Sequence, residues 1–187
     1  MISINVILTT VGREAGLLRM LRSLSGQLLE GDYLTIISDD NHGYVRHNIS
    51  FADLKCTITH ISNSKKLGYW GHASRNKWQN TLPGDVLINC DDDDRYTEGA
   101  FDKIREIVKE KKLYIFKHED NGNFAWSIEG LVELGNIGTS CGVIPNTHDL
   151  PDWELVYGGD ATFYIELAKR LPCEWVDHVI YKVKNTP

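Results

Sequence analysis

Asp91, Asp92, Asp93 and Asp94 stand in a row directly after the apolar run Val86-Leu87-Ile88-Asn89-Cys90. Four consecutive carboxylates repel one another unless positive charge sits among them, and hard oxygen donors of this kind suit Mg²⁺ or Mn²⁺. The other reading is a solvated acidic turn that precedes a helix and favours its positive end. The position of the run at the end of a buried strand favours the cation. Asp39-Asp40 follows a second apolar run. Asp160 opens an aromatic helical segment, where an aspartate serves either as a proton acceptor or as an N-cap.

These groups meet only if the apolar runs lie side by side as strands. Residues 3–9, 33–38, 56–61 and 85–90 read as strands, and each ends in polar or charged residues. Between them, 14–27 carries Leu17, Leu18, Met20, Leu21, Leu24 and Leu28 on one side at helical spacing, and 72–81 reads as a second helix closed by Pro83-Gly84. Thr97 suits the N-cap of a third helix bearing Phe101, Ile104, Ile107 and Val108. Beyond 113–116 the pattern weakens to short β-like pieces at 124–128 and 137–144, then a helix over 160–171 and a strand over 174–183. Strands alternating with helices predict an α/β fold: a mainly parallel central sheet flanked by helices, with a smaller mixed β region. Ligands of such sheets settle at the carboxyl ends of the strands, where the polar groups converge.

With 187 residues and 42% hydrophobic content, the chain fits one domain with a real core. Cys56, Cys90, Cys141 and Cys173 form no CxxC pair and read as reduced, buried thiols of a cytoplasmic protein. Twenty-six acidic against 20 basic residues give a formal charge of −6, which argues against broad electrostatic capture of nucleic acid or anionic membrane. The apolar N-terminal residues are too few to span a bilayer and lack a basic leader, so no transmembrane segment is expected.

Taken together, four blocks resemble the GT-A glycosyltransferases of the family 2 type with a DxD motif. Residues 6–13 followed by 17–24 resemble the first strand, nucleotide-contacting turn and first helix. Ile36-Ile37-Ser38-Asp39-Asp40-Asn41 resembles the second-strand acidic pair. Leu67-Gly68 through Ala73-Ser74-Arg75-Asn76 resembles the Gly-x-n-Ala-x-Arg-Asn segment, with a spacing about two residues longer than usual, and Asp91-Asp92-Asp93-Asp94-Arg95-Tyr96 matches the D-x-D-D block. The resemblance covers roughly the first hundred residues. It implies one GT-A domain over 1–187, with a nucleotide-sugar-binding half at 1–96 and an acceptor and catalytic half at 97–187.

The resemblance further implies a nucleoside-diphosphate sugar as donor. Thr10 and Asp39 would contact the nucleobase side, Asp91 the ribose and metal region, and Asp93 the Mg²⁺ or Mn²⁺ that bridges the diphosphate. Arg13, Arg75 and Asp92 would complete the donor site. Tyr157-Gly158-Gly159-Asp160-Ala161-Thr162-Phe163 is similar to the family's late block, which makes Asp160 the catalytic base; Gly159 stands where the family often has Glu. Tyr181-Lys182-Val183-Lys184 puts Lys184 where relatives carry a late histidine, with His148 and His178 as substitutes. The implied reaction is an inverting, metal-dependent transfer to an acceptor hydroxyl on a glycan, lipid-linked sugar, protein or modified nucleic-acid base. Trp70, Trp126 and Trp153 are the rings that could cover a sugar face, and Trp153, shortly before Asp160, is the expected acceptor contact. Two other functions fit the acidic run: a sugar-phosphate nucleotidyltransferase, whose glycine-rich basic loop has no counterpart in Thr9-Thr10-Val11-Gly12-Arg13, and a non-catalytic nucleotide-sugar or carbohydrate-binding module.

Overall fold

The computed structural model describes residues 1–39, 45, 53–120, 123–125 and 129–183, with 123–125 described by their backbone alone. In chain order the elements are β1 Ile4–Thr10, α1 Glu14–Leu24, β2 Tyr33–Ser38, β3 Thr57–Ser62, α2 His72–Trp78, β4 Val86–Asp91 and β5 Arg95–Tyr96. They continue with α3 Ala100–Ile107, β6 Leu113–Asp120, β7 Asn123–Ala125, β8 Gly142–Pro145, α4 Gly159–Arg170 and β9 Cys173–Lys182. One sheet runs in the order β3-β2-β1-β4-β8-β6-β9-β5, and β7 pairs with β6.

The first four strands are parallel. Antiparallel pairing enters with β8 against β4, and the far side of the sheet is mixed. The expected architecture therefore holds. The chain leaves β1 to one side for β2 and β3, then returns to the other side for β4, so the sheet reverses direction of growth between β1 and β4. Crevices that bind ligands in open α/β sheets form at such a reversal, outside the carboxyl ends of the strands.

Every residue of β1 is buried. Val6 and Leu8 face one core with Leu17, Met20, Leu21 and Leu24 of α1 and Phe101 and Ile104 of α3. Ile7 faces the opposite core with Leu87, Ile144, Trp153, Phe163 and Leu167. The period-2 alternation of a strand covered on both faces produces this division.

Several boundaries differ from the sequence expectation. Helix α1 stops at Leu24, and Gly26 follows with φ of 73°. Helix α2 ends at Trp78 and tightens into a 3₁₀ turn over Gln79–Thr81, because Pro83 forces Leu82 into extended backbone. Thr97 is not the cap of α3: Gly99 holds that position with φ of 72°, and the Thr97 hydroxyl donates instead to the Val179 carbonyl at 3.0 Å. Only Gly142–Pro145 of the 137–144 piece pairs as strand, and 126–128 lie outside the described residues.

Candidate active site

The register of β1 against β4 sets Thr9 beside Asp91, at the reversal point of the sheet. From there the acidic run alternates. Asp91, Asp93 and Asp94 line a cleft of about 510 Å³ together with Thr9, Val11, Arg13, Lys66, Gly68, Tyr69, Trp70, Gly71 and Val183, Asp91 and Asp93 being the more exposed of the three. Asp92 is wholly buried behind them: it accepts Thr10 Oγ1 at 2.6 Å and the Val11 amide at 3.2 Å, and pairs with Arg13 at 2.7 Å. Burial raises its pKa, while the Thr10 hydroxyl and the Arg13 charge oppose the rise. Thr10 and Asp92 thus fix the strand end, and Thr9, which the sequence reading passed over, is the threonine on the cleft.

Two guanidinium groups meet the repulsion that the sequence poses. Arg13, half exposed, grips Asp92 and also Asp93, the latter at 2.5 Å. Arg75 is fully buried and donates to Asp91 Oδ1 at 2.8 Å, Thr9 Oγ1 at 2.9 Å and the Cys90 carbonyl at 3.2 Å. Its guanidinium lies 5.0 Å from the ring centre of Trp153. Arg75 is therefore an internal cation that orients Asp91, neither on a helix surface nor open to the cleft. Gly16 lets α1 approach: a Cβ there would sit 2.7 Å from the Asp92 carbonyl.

Asp39 is buried as well. Its carboxylate takes the amides of Leu67 at 2.7 Å and Gly68 at 2.6 Å, and receives Asn63 Nδ2 at 3.3 Å. That grip anchors a turn in which Gly68, Tyr69, Trp70 and Gly71 all have positive φ, of 76°, 56°, 52° and 84°. Left-handed backbone at the two aromatic residues costs about 1–2 kcal/mol each. It leaves both rings exposed, Trp70 at 61%.

A second segment near the site, the strap 150–154, is hung from α2 and the 3₁₀ turn that follows it. His72, Asn76, Gln79 and Asn80, at i, i+4, i+7 and i+8, hold the segment 150–154 along the helix by its main chain. Asn80 takes both polar groups of Leu150, at 3.1 and 2.7 Å. Asn76 does the same at Trp153, at 2.9 and 2.7 Å. Gln79 donates to the Pro151 carbonyl at 2.8 Å and accepts Trp153 Nε1 at 2.9 Å. His72 Nδ1 meets the Glu154 carbonyl at 2.8 Å, which fixes that nitrogen as the protonated one. Burial, the largest influence, lowers the His72 pKa; Asp160 and Asp91 both act on it in the opposite sense.

This strap delivers Asp160 in the first turn of α4. Its carboxylate accepts the Ala161 amide at 2.9 Å and Thr139 Oγ1 at 3.4 Å and remains partly exposed. Gly159 has a steric cause: a Cβ at 159 would lie 2.1 Å from the Glu154 oxygen and 2.9 Å from His72 Nδ1. A second acidic side chain has no room there.

Trp153 does not face an acceptor. It is 1% exposed and stacks on Phe163 with ring centres 4.1 Å apart, because the strap turns it into the core. His148 lies by the start of β4, bonded to the Asn80 carbonyl, about 17 Å of strand from the acidic end of β4. His178, on β9, is not among the cleft residues. Lys184, Asp40 and Trp126 lie outside the described residues, though Val183 lines the cleft. The four cysteines are free thiols. Among the described residues no three carboxylate, imidazole or thiolate groups converge as a metal centre, and no helix is long and apolar enough to cross a membrane.

A parallel sheet reversing beside an acidic strand end, with a mixed β region and a late helix bearing a carboxylate, is the GT-A type of glycosyltransferase fold. S. aureus TarS 1–349 in complex with UDP-GlcNAc matches it with a TM-score of 0.77 over 99% of this chain and 59% of that one, at 13% identity. The mannosyltransferase PcManGT from Pyrobaculum calidifontis, in complex with GDP-Man and Mn²⁺, matches with a TM-score of 0.71 over 97% of this chain and 56% of that one, at 9% identity. In sequence, the chain is 28% identical over 118 residues to the uncharacterized glycosyltransferase YwdF of Bacillus subtilis (strain 168), covering 63% of this chain and 41% of that protein. The chain thus spans less than two thirds of each relative's length. No protein-family model matches it.

Proposed function

We propose that this chain carries the donor-binding and catalytic groups of a glycosyltransferase that moves a hexosyl or pentosyl unit from a nucleoside-diphosphate sugar to an acceptor hydroxyl, with inversion. The observation that carries the reading is the placement of the acidic run at the reversal point of the sheet, with Asp91, Asp93 and Asp94 lining the cleft and Asp92 wholly buried behind them. It supports reading Asp91-Asp92-Asp93 as a DxD motif. The bound UDP-GlcNAc and GDP-Man of the two structural relatives support a nucleotide-sugar donor, and the Mn²⁺ of one supports a cation.

Of the three carboxylates on the cleft, Asp91 and Asp93 would hold a Mg²⁺ or Mn²⁺, hard cations that suit a site of one or two carboxylates beside substrate phosphates. When bound there, the ion would offset the negative charge of the departing diphosphate. Arg13 and Lys66, both on the cleft, supply further positive charge to the phosphates, and Lys184, next after Val183, would join them. Thr9, Val11 and the 66–71 turn border the nucleoside. Asp160 takes the proton of the acceptor hydroxyl as its oxygen attacks the anomeric carbon from the face opposite the breaking bond. The missing second acid leaves that work to one carboxylate.

A thermal-shift series with UDP, GDP and their sugars, with and without Mn²⁺, tests the donor reading: a nucleoside diphosphate should raise the melting midpoint, more so with the metal. Asp93→Asn should abolish the metal's share, and Asp160→Asn should bind the donor yet lose transfer. No shift with any nucleotide would overturn the reading, and metal-dependent binding without release of nucleoside diphosphate over an acceptor panel would make the chain a binding module.

A further inference from the structure

Trp70 and Tyr157 come from separate segments, one from the left-handed turn anchored by Asp39 and the other from the loop that leads into α4. Their rings nevertheless meet, centres 5.9 Å apart and planes at 73°, with 61% and 80% of the residues exposed. Two large rings left in water at such exposure gain little for folding, and the backbone strain at Trp70 works to keep one of them there. Trp70 lines the cleft, and Tyr157 precedes Asp160 by three residues, so the corner joins the cleft to the segment that leads into α4.

We propose that Trp70 and Tyr157 form the acceptor platform, a right-angled corner that takes one pyranose ring of a saccharide acceptor. The inference rests on the glycosyltransferase reading and names the acceptor class. A pyranose has one face of axial C–H bonds and a rim of hydroxyls. One aromatic plane covers the C–H face, the second closes its edge, and the hydroxyls turn toward the carboxylates of Asp160 and Asp91. A ring so seated offers a rim hydroxyl to the base while the apolar face excludes water behind it. The formal chain charge of −6 favours a neutral sugar over a phosphate-rich polymer.

Saturation-transfer NMR on the whole chain tests this, using UDP or GDP with a panel of methyl pyranosides (gluco, galacto, manno and N-acetylglucosamine) as probes, and n-octyl phosphate as an apolar control. At least one methyl pyranoside should receive saturation on its axial C–H protons. Tyr157→Ala should weaken that pyranoside at least about five-fold, the scale of one lost aromatic contact, and Tyr157→Phe should restore it. The nucleotide-induced rise in melting midpoint, measured on the same samples, should be unchanged in Tyr157→Ala, which shows that the variant is folded and its donor cleft intact. Equal pyranoside binding by wild type and Tyr157→Ala overturns the platform, as does a panel that gives no signal, or a signal from the octyl chain alone. In those cases a retained nucleotide shift leaves the donor reading standing, whereas loss of the nucleotide shift in wild type removes the donor reading instead.

Discussion

Gly159→Ala sets two known effects against each other. In a helix, replacing glycine by alanine normally stabilises by about 0.5–1 kcal/mol, through a less floppy unfolded chain and better propensity. At 159 the added Cβ would lie 2.1 Å from the Glu154 oxygen, 3.0 Å from its carbon and 2.9 Å from His72 Nδ1. An unstrained C···O approach of about 3.2 Å requires the carbonyl to retreat by about 1 Å, which carries it beyond hydrogen-bond range of His72. Overpacking costs about 1–3 kcal/mol and the lost bond about 1 kcal/mol. The balance is a destabilisation of about 2 kcal/mol, or a melting midpoint about 4–8 °C lower for a chain of this size. Differential scanning calorimetry at pH 7.5 reads it directly. A midpoint equal to or above that of wild type would show that the strap does not press on the first turn of α4, and the steric account of the missing acid would fail with it. Gly159→Glu, which rebuilds the acidic pair of the resembling family, should be worse still.

Three further outcomes follow from the same contacts. Arg75→Met removes a fully buried cation and strands Asp91, Thr9 and the Cys90 carbonyl, so stability should fall by about 3–5 kcal/mol in chemical denaturation, with Arg75→Lys between it and wild type; a change below 1 kcal/mol would refute the internal-counterion role. Asn76→Ala leaves the Trp153 amide and carbonyl without partners at a cost of about 2 kcal/mol, and hydrogen exchange should quicken at Trp153 before it does in β1. His72 and His118 both have pKa values lowered first by burial, from 6.5. The unfolded chain therefore binds protons that the folded chain refuses. Their stability contribution is full above pH 6.5 and is lost as pH falls below it, by up to about 1.4 kcal/mol per pH unit for each. Melting midpoints between pH 7.5 and 5.5 should fall, and His118→Gln should flatten the slope; an unchanged slope in that variant would remove His118 from the account.

The sheet was legible because β1, β2 and β4 are apolar runs that end abruptly in polar residues, a pattern that only strands buried on both faces impose. The acidic run and Asp160 were legible for the same reason: they sit at element ends, where the topology fixes their place. What the sequence withheld was direction. Asp39, Asp92 and Arg75 were read as groups that touch a ligand, and each is turned inward to hold a neighbour, since a buried charge is tolerated only against partners that come from distant segments such as Leu67 and Thr9. Trp153, expected at an acceptor, faces the core while Trp70 stays exposed, and because neither lies in a periodic segment nothing local told which ring would be buried. Helix α2 and the 3₁₀ turn after it went unread as a clasp: the stripe His72, Asn76, Gln79, Asn80 has the spacing of a buried face but the polarity of a wet one, and its partner is a main chain that leaves no mark in sequence.

That main-chain grip separates two tasks along the strap. Leu150, Pro151 and Trp153 are held by carbonyl and amide atoms, and the Leu150 side chain and the Trp153 ring are committed to the interior. Positions 155–157 follow the last clasp, with exposed side chains whose one described ring contact is that of Tyr157 with Trp70. Redesign toward a new substrate can therefore rewrite 155–157 freely, while the polar stripe on α2 must be left untouched, as a loom keeps its warp while the weft is changed.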